Sequence, residues 1–263
     1  MVIRRGMAGA FAAAMAGAAL AGYPAAARPE LPPDVVFRPT FLTADYSHGG
    51  GTAFVMRLPE SGRVFLVSTH RVFGPAGGFD HQLSGADVAR VFVAVAAVSA
   101  GKSRLAILAG SPVAIHDARV ADAAGSERDL SLFPLETWGF APTLVPERGA
   151  VRRGDRVWLA VKSLETETVE LRGATISELR RREIRYRLHD QEADYGGTSG
   201  APLLAENGRL LGMHLGILRN EAGQRFGHAC PVWAIEEAAE GAPPPGGTAI
   251  RQAQPGQSAP PRE

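Results

Sequence analysis

The body of this 263-residue chain is a succession of short apolar runs, each bounded by glycine, asparagine or charged residues. Residues 52–58 and 63–68 are β-type runs flanking Ser61-Gly62, a hairpin signal. Further runs follow at 89–98, 105–108, 113–115, 130–135, 156–161, 168–176 and 184–188. Leu203-Leu204 and residues 210–217 close the series, with the two-residue turn Asn207-Gly208 between them. Many short strands with regular turns predict an all-β sandwich or a pair of barrels. Alternation of helix with strand is absent, which argues against α/β folds. Only residues 231–240, Glu-rich and entered through Pro231, read as a helix.

The two ends differ from this body. Arg4 and Arg5 precede an Ala/Gly/Met-rich apolar run that ends at Pro24-Ala25-Ala26-Ala27. A basic start, an apolar middle and an A-x-A exit predict a secretory signal peptide over 1–27, cleaved after Ala27. The run is short and rich in small residues, so as a retained anchor it would span a bilayer poorly. The expected location is periplasmic or secreted, with no stable membrane insertion after cleavage. At the other end, residues 241–263 are rich in Pro, Gly and Gln and predict a disordered tail. Net charge is +1, which gives no basis for a nucleic-acid partner. The single cysteine, Cys230, excludes an intramolecular disulfide and reads as a buried structural thiol. No cofactor or metal ion is expected.

The chemistry centres on Gly196-Gly197-Thr198-Ser199-Gly200-Ala201-Pro202. Glycines on both sides let the backbone turn sharply and bring amide N–H groups close to the serine oxygen. A serine nucleophile needs a base, and the base needs an orienting acid. No aspartate follows Ser199 in the chain, which disfavours the Ser-acid-His order of α/β-hydrolases. The order His, Asp, Ser has better candidates. His70 ends the apolar strand Val64-Phe65-Leu66-Val67, after Ser68 and Thr69, while His48 and His81 lie in loops and His116 is a rival beside Asp117. Asp129 stands at the mouth of the apolar run Leu130-Ser131-Leu132-Phe133, and Asp117 and Asp122 are its alternatives.

Val67-Ser68-Thr69-His70-Arg71-Val72-Phe73, Asp129-Leu130-Ser131-Leu132 and Gly197-Thr198-Ser199-Gly200-Ala201-Pro202 together resemble the three signatures of chymotrypsin-like (trypsin-fold) serine peptidases. The likeness is closest to the disulfide-poor bacterial branch, with its T-A-x-H, D-[LI]-A-[LV] and G-[NT]-S-G-[GSA]-P strings. It covers residues 41–235. One departure is that Val67-Ser68 stands where the family has Thr-Ala. The resemblance implies two six-stranded antiparallel β-barrels, here 28–145 with His70 and Asp129, and 146–240 with Ser199 and a short terminal helix. It implies Ser199 as nucleophile, His70 as general base and acid, Asp129 as the orienting carboxylate, and the N–H groups of Gly197 and Ser199 as the oxyanion hole. Thr198 replaces the aspartate that receives a freed N-terminus in trypsin-type zymogens. Gly212-Met213-His214-Leu215-Gly216 resembles the G-x-H-x-G strand of glutamyl endopeptidases, so His214 is a candidate for binding an acidic side chain, with Asp194 a second candidate substrate-binding residue. The implied activity is that of an exported serine endopeptidase acting on protein or peptide substrates. A catalytically inactive trypsin-fold binding module and a serine esterase are the alternatives.

Overall fold

A computed structural model describes residues 28–100, 105–122, 124–136, 143–162 and 168–243. The expected signal peptide and all of the tail beyond residue 243 lie outside the described residues. The first half forms a seven-stranded antiparallel sheet from β1 (Val36–Leu42), β2 (Ser47–Gly49), β3 (Ala53–Arg57), β4 (Val64–Ser68), β5 (Ala94–Ser99), β6 (Ala106–Ala109) and β7 (Ser131–Pro134). Its order is β6-β5-β1-β3-β4-β7, with β2 paired to β1. The sheet curls until the Val113 N–H, just past β6, donates to Leu132 O of β7 at 2.8 Å. The second half is a closed barrel of β8 (Arg156–Val161), β9 (Glu170–Arg180), β10 (Glu183–Leu188), β11 (Pro202–Leu204), β12 (Leu210–Arg219) and β13 (Arg225–Pro231), in the order β10-β13-β12-β11-β8-β9. The fold is the all-β double barrel expected from the strand series.

Period-two alternation explains why β3 and β4 are apolar throughout. Successive side chains of a strand point to opposite faces. Ala53, Val55, Val64 and Leu66 point into the first barrel with Phe37, Phe41, Phe73 and Phe133. Phe54, Met56, Phe65 and Val67 point the other way, into a core shared with Leu204, Leu210, Met213 and Leu215 of the second barrel. Both faces are buried, so both positions of the alternation are hydrophobic. The terminal helix α2 (Val232–Glu240) adds Ala234, Ile235 and Ala239 to this shared core. Cys230 lies in the same core, and burial raises its thiol pKa well above the ordinary value.

The strand reading needs two corrections. Residues 89–98 are not one strand: a helix, α1 (Gly85–Val91), precedes β5. Its start was in the sequence, because the Ser84 side chain accepts the Asp87 N–H at 3.1 Å as an N-cap. The Ala/Val composition after it concealed the boundary. Residues 113–115 form no strand, and β1, β2 and β13 were not read from the sequence.

Candidate active site

Ser199 sits in the loop between β10 and β11, on the face that meets the first barrel. Gly197 at φ +69° and Gly200 at φ +96° adopt left-handed backbone around it. Gly200 has a second reason to be glycine: a Cβ there would stand 1.9 Å from Thr52 O. The Thr52 N–H donates to Ser199 O at 2.7 Å, which fastens the loop to the first barrel. Arg38 of β1 reaches across as well, donating to Gly51 O at 3.0 Å and to Gly197 O at 2.8 Å. Thr52 Oγ1 donates to the same Gly197 carbonyl at 2.8 Å. With that carbonyl held, the N–H groups of Gly197 and Ser199 meet no acceptor among the described residues. Thr198 is buried, and its hydroxyl donates to Tyr195 O at 2.7 Å, so this loop is tied down without an aspartate.

The Ser199 hydroxyl donates to Leu215 O of β12 at 2.6 Å. It is not bonded to His70. A short 3-10 turn, His70–Phe73, follows β4, and the His70 ring lies buried within it. Its Nε2 lies 2.9 Å from Leu83 O. A carbonyl only accepts, so Nε2 carries the proton and has no lone pair for a serine hydroxyl. Burial lowers the His70 pKa, against the opposing pull of Asp129 and the Leu83 bond, so the ring is neutral at pH 7.

Asp129 is fully buried, and its partner is Arg71. Oδ1 accepts the Arg71 backbone N–H at 3.0 Å, and Oδ2 accepts Nε at 2.8 Å and Nη2 at 2.7 Å. The Ala121 N–H completes the set on Oδ2 at 3.0 Å. Asp129 makes neither a hydrogen bond nor an ion pair with His70 among the described residues. Among the described residues, no hydrogen bond joins Asp129 to Ser199 through His70. The rival acids are elsewhere: Asp117 pairs with Arg128, and Asp122 caps the Ala124 N–H.

His214 on β12 is fully buried, which does not fit a residue that receives a substrate side chain. Its Nδ1 is hydrogen-bonded to the Tyr186 hydroxyl of β10, and its Nε2 has no partner among the described residues. Burial, with smaller contributions from His228 and Arg71, lowers its pKa to about 3, so it carries no charge for an acidic ligand. Tyr186 occupies the space above Gly227, where a Cβ would lie 2.1 Å from its ring. Asp194 accepts the Gly196 N–H at 2.8 Å and acts as a local loop cap. Sequence reading missed Arg38, Arg71 and Tyr186. Arg71 was in the quoted string, and its significance came only with its partner.

No protein-family model matches the chain, and no curated protein does. Solved structures do. A serine-to-alanine variant of the HtrA-type protease AlgW with tripeptide matches over 80% of this chain at 18% identity and a TM-score of 0.51. The serine endoprotease from Yersinia pestis matches over 80% at 14% identity and a TM-score of 0.51. The Rv3671c protease from M. tuberculosis in its active form matches over 81% at 17% identity and a TM-score of 0.50. The chain spans 60%, 62% and 84% of those chains in turn. At these identities the likeness is one of fold: this chain has the double-barrel fold of the chymotrypsin-like serine proteases.

Proposed function

We propose that this chain is an exported protein that takes an extended segment of a protein or peptide between its barrels and holds a backbone carbonyl at Ser199. The unpartnered N–H groups of Gly197 and Ser199, beside the serine hydroxyl, carry this reading. Two fixed amides suit a polarised carbonyl oxygen or an oxyanion, and they need no reorganisation to receive it. The likeness to the AlgW variant with tripeptide supports the same class of ligand.

Serine endopeptidase action would be the enzymatic form of this reading, with Ser199 between Gly197 and Gly200 as the nucleophile. Ser199 Oγ would attack the carbonyl carbon while its proton passes to an imidazole. That proton would then go to the leaving amine as the C–N bond breaks, and water would hydrolyse the ester. With His70 as base, Nε2 must first leave Leu83 O. A preference for Glu before the scissile bond would require His214 to be uncovered from Tyr186.

A library of short peptides bearing a photoreactive benzophenone tests the binding step. Crosslinks should map to the 197–202 loop and to β12, and excess unlabelled peptide should compete them away. Ser199→Trp, which fills the corner, should abolish them. Crosslinking that is absent, or is unchanged in Ser199→Trp, would remove this reading.

A further inference from the structure

We propose that Arg71, not His70, stands in the position of the general base, so that the site holds its peptide without turning it over. The proposal rests on the reading that Ser199 meets a peptide carbonyl. Three independent observations carry it.

The first is the acid. In a triad the carboxylate accepts a hydrogen bond from the side chain of the base and so orients it. Asp129 orients residue 71: Oδ1 takes the backbone N–H, and Oδ2 takes Nε and Nη2 of the side chain. Among the described residues it bonds neither the backbone nor the ring of residue 70.

The second is the direction of the Arg71 side chain. From Asp129 it runs toward β12. A Cβ on Gly216 would lie 3.2 Å from Arg71 Nη1. The preceding residue, Leu215, supplies the carbonyl that accepts the Ser199 hydroxyl. The guanidinium therefore bridges the acid and the strand beside the nucleophile. Residues in a 3-10 turn are separated by about 120°, so His70 and Arg71 cannot both face Asp129. His70 faces Leu83 instead.

The third is the string itself. Set against T-A-x-H with Arg71 in the last place, Ser68 and Thr69 fall on Thr-Ala. In this register a hydroxyl residue, Ser68, replaces the apolar Val67 at the Thr position, His70 takes the variable position, and the departure moves to Arg71 itself. The Ser68 hydroxyl is buried and donates to Thr52 O at 2.9 Å, a structural role suited to that place.

A guanidinium cannot do the work of an imidazole. It has five donors, no acceptor, and it does not lose its proton in proteins. Among the described residues the proton of Ser199 then has no acceptor but Leu215 O, and attack on a carbonyl stalls. The neighbouring imidazoles do not replace it. Neither is hydrogen-bonded to Ser199 among the described residues: His214 is held by Tyr186 through Nδ1, and His228 faces Glu183 with Nδ1 at 3.5 Å.

The test is a gain of function. A fluorophosphonate probe reacts when Ser199 Oγ bonds to phosphorus, fluoride leaves and the hydroxyl proton passes to a base. Wild type, Arg71→His, Arg71→His/Ser199→Ala and His70→Ala are compared for probe labelling and for hydrolysis of a casein-derived peptide mixture. The crosslinking assay runs in parallel, and circular dichroism checks folding. Arg71→His should label about 10²–10⁴-fold faster than wild type, the usual range for a general base. Labelling should disappear in the double variant, and His70→Ala should label at the wild-type rate. Wild-type turnover that is lost in His70→Ala would overturn the proposal and leave the peptide-binding reading intact. A folded Arg71→His that still crosslinks peptide but gains no labelling would also overturn it. Loss of crosslinking in wild type itself would instead remove the reading on which the proposal rests.

Discussion

The Thr52 backbone N–H donates to Ser199 O at 2.7 Å, and the Thr52 carbonyl sits where a Cβ on Gly200 would fall. One residue of the first barrel therefore fixes both sides of Ser199 on the second. The junction is held by backbone groups, so side-chain substitutions at Thr52 would leave these two contacts in place, whereas any Cβ at position 200 would break them.

Gly200→Ala should be strongly destabilising. The left-handed conformation at φ +96° alone costs a non-glycine residue roughly 1–3 kcal/mol, and the contact at 1.9 Å adds to it. A loss of at least about 2 kcal/mol corresponds to roughly 4–8 °C in Tm for a domain of this size. Thermal unfolding followed by circular dichroism measures it. An unchanged Tm would mean that Ser199 is not held against Thr52.

Tyr186→Phe leaves the packing against Gly227 intact and removes the hydroxyl that is the one partner of His214 Nδ1 among the described residues. A buried polar atom left without a partner costs roughly 1–3 kcal/mol. Urea unfolding should show a lower midpoint with an unchanged m-value. A midpoint equal to wild type would show that the Tyr186–His214 bond contributes nothing.

Acid should weaken the fold through its buried imidazoles. His214 has a pKa of about 3 when folded, against an ordinary value of 6.5. The unfolded chain therefore binds a proton between these values that the folded chain refuses. Stability is full above pH 6.5 and falls as pH drops toward 3, by up to about 1.4 kcal/mol per pH unit for one such group. Burial lowers the pKa of His70 and, together with Arg71, that of His228, so both add with the same sign. His214→Met should flatten the slope of unfolding free energy between pH 6.5 and 4.5. A slope identical to wild type would exclude His214 as a contributor.

The double barrel was legible because its strands are short, apolar and separated by turns such as Asn207-Gly208, where Gly208 is left-handed at φ +80°. The β-hairpins at Ser61-Gly62 and Asn207-Gly208 needed only local chemistry. Helix α1 was hidden because the Ala/Val residues around it suit a buried strand as well as a helix, and only the Ser84 cap distinguished them. Strand β13 was hidden because glycine, histidine and cysteine within it interrupt the apolar pattern.

The same division applies at the site. The sequence alone determined that Ser199 lies in a glycine turn, because that geometry depends on backbone freedom within a few residues. It also determined that Asp129 stands at the head of a buried strand, because Leu130-Ser131-Leu132-Phe133 anchors it. Only the tertiary structure decided which neighbour Asp129 holds. His70 and Arg71 are adjacent in the chain but point about 120° apart in a 3-10 turn. Which of them faces the acid depends on where β7 and the segment around Ala121 set the carboxylate against β4, a long-range relation that no local string encodes.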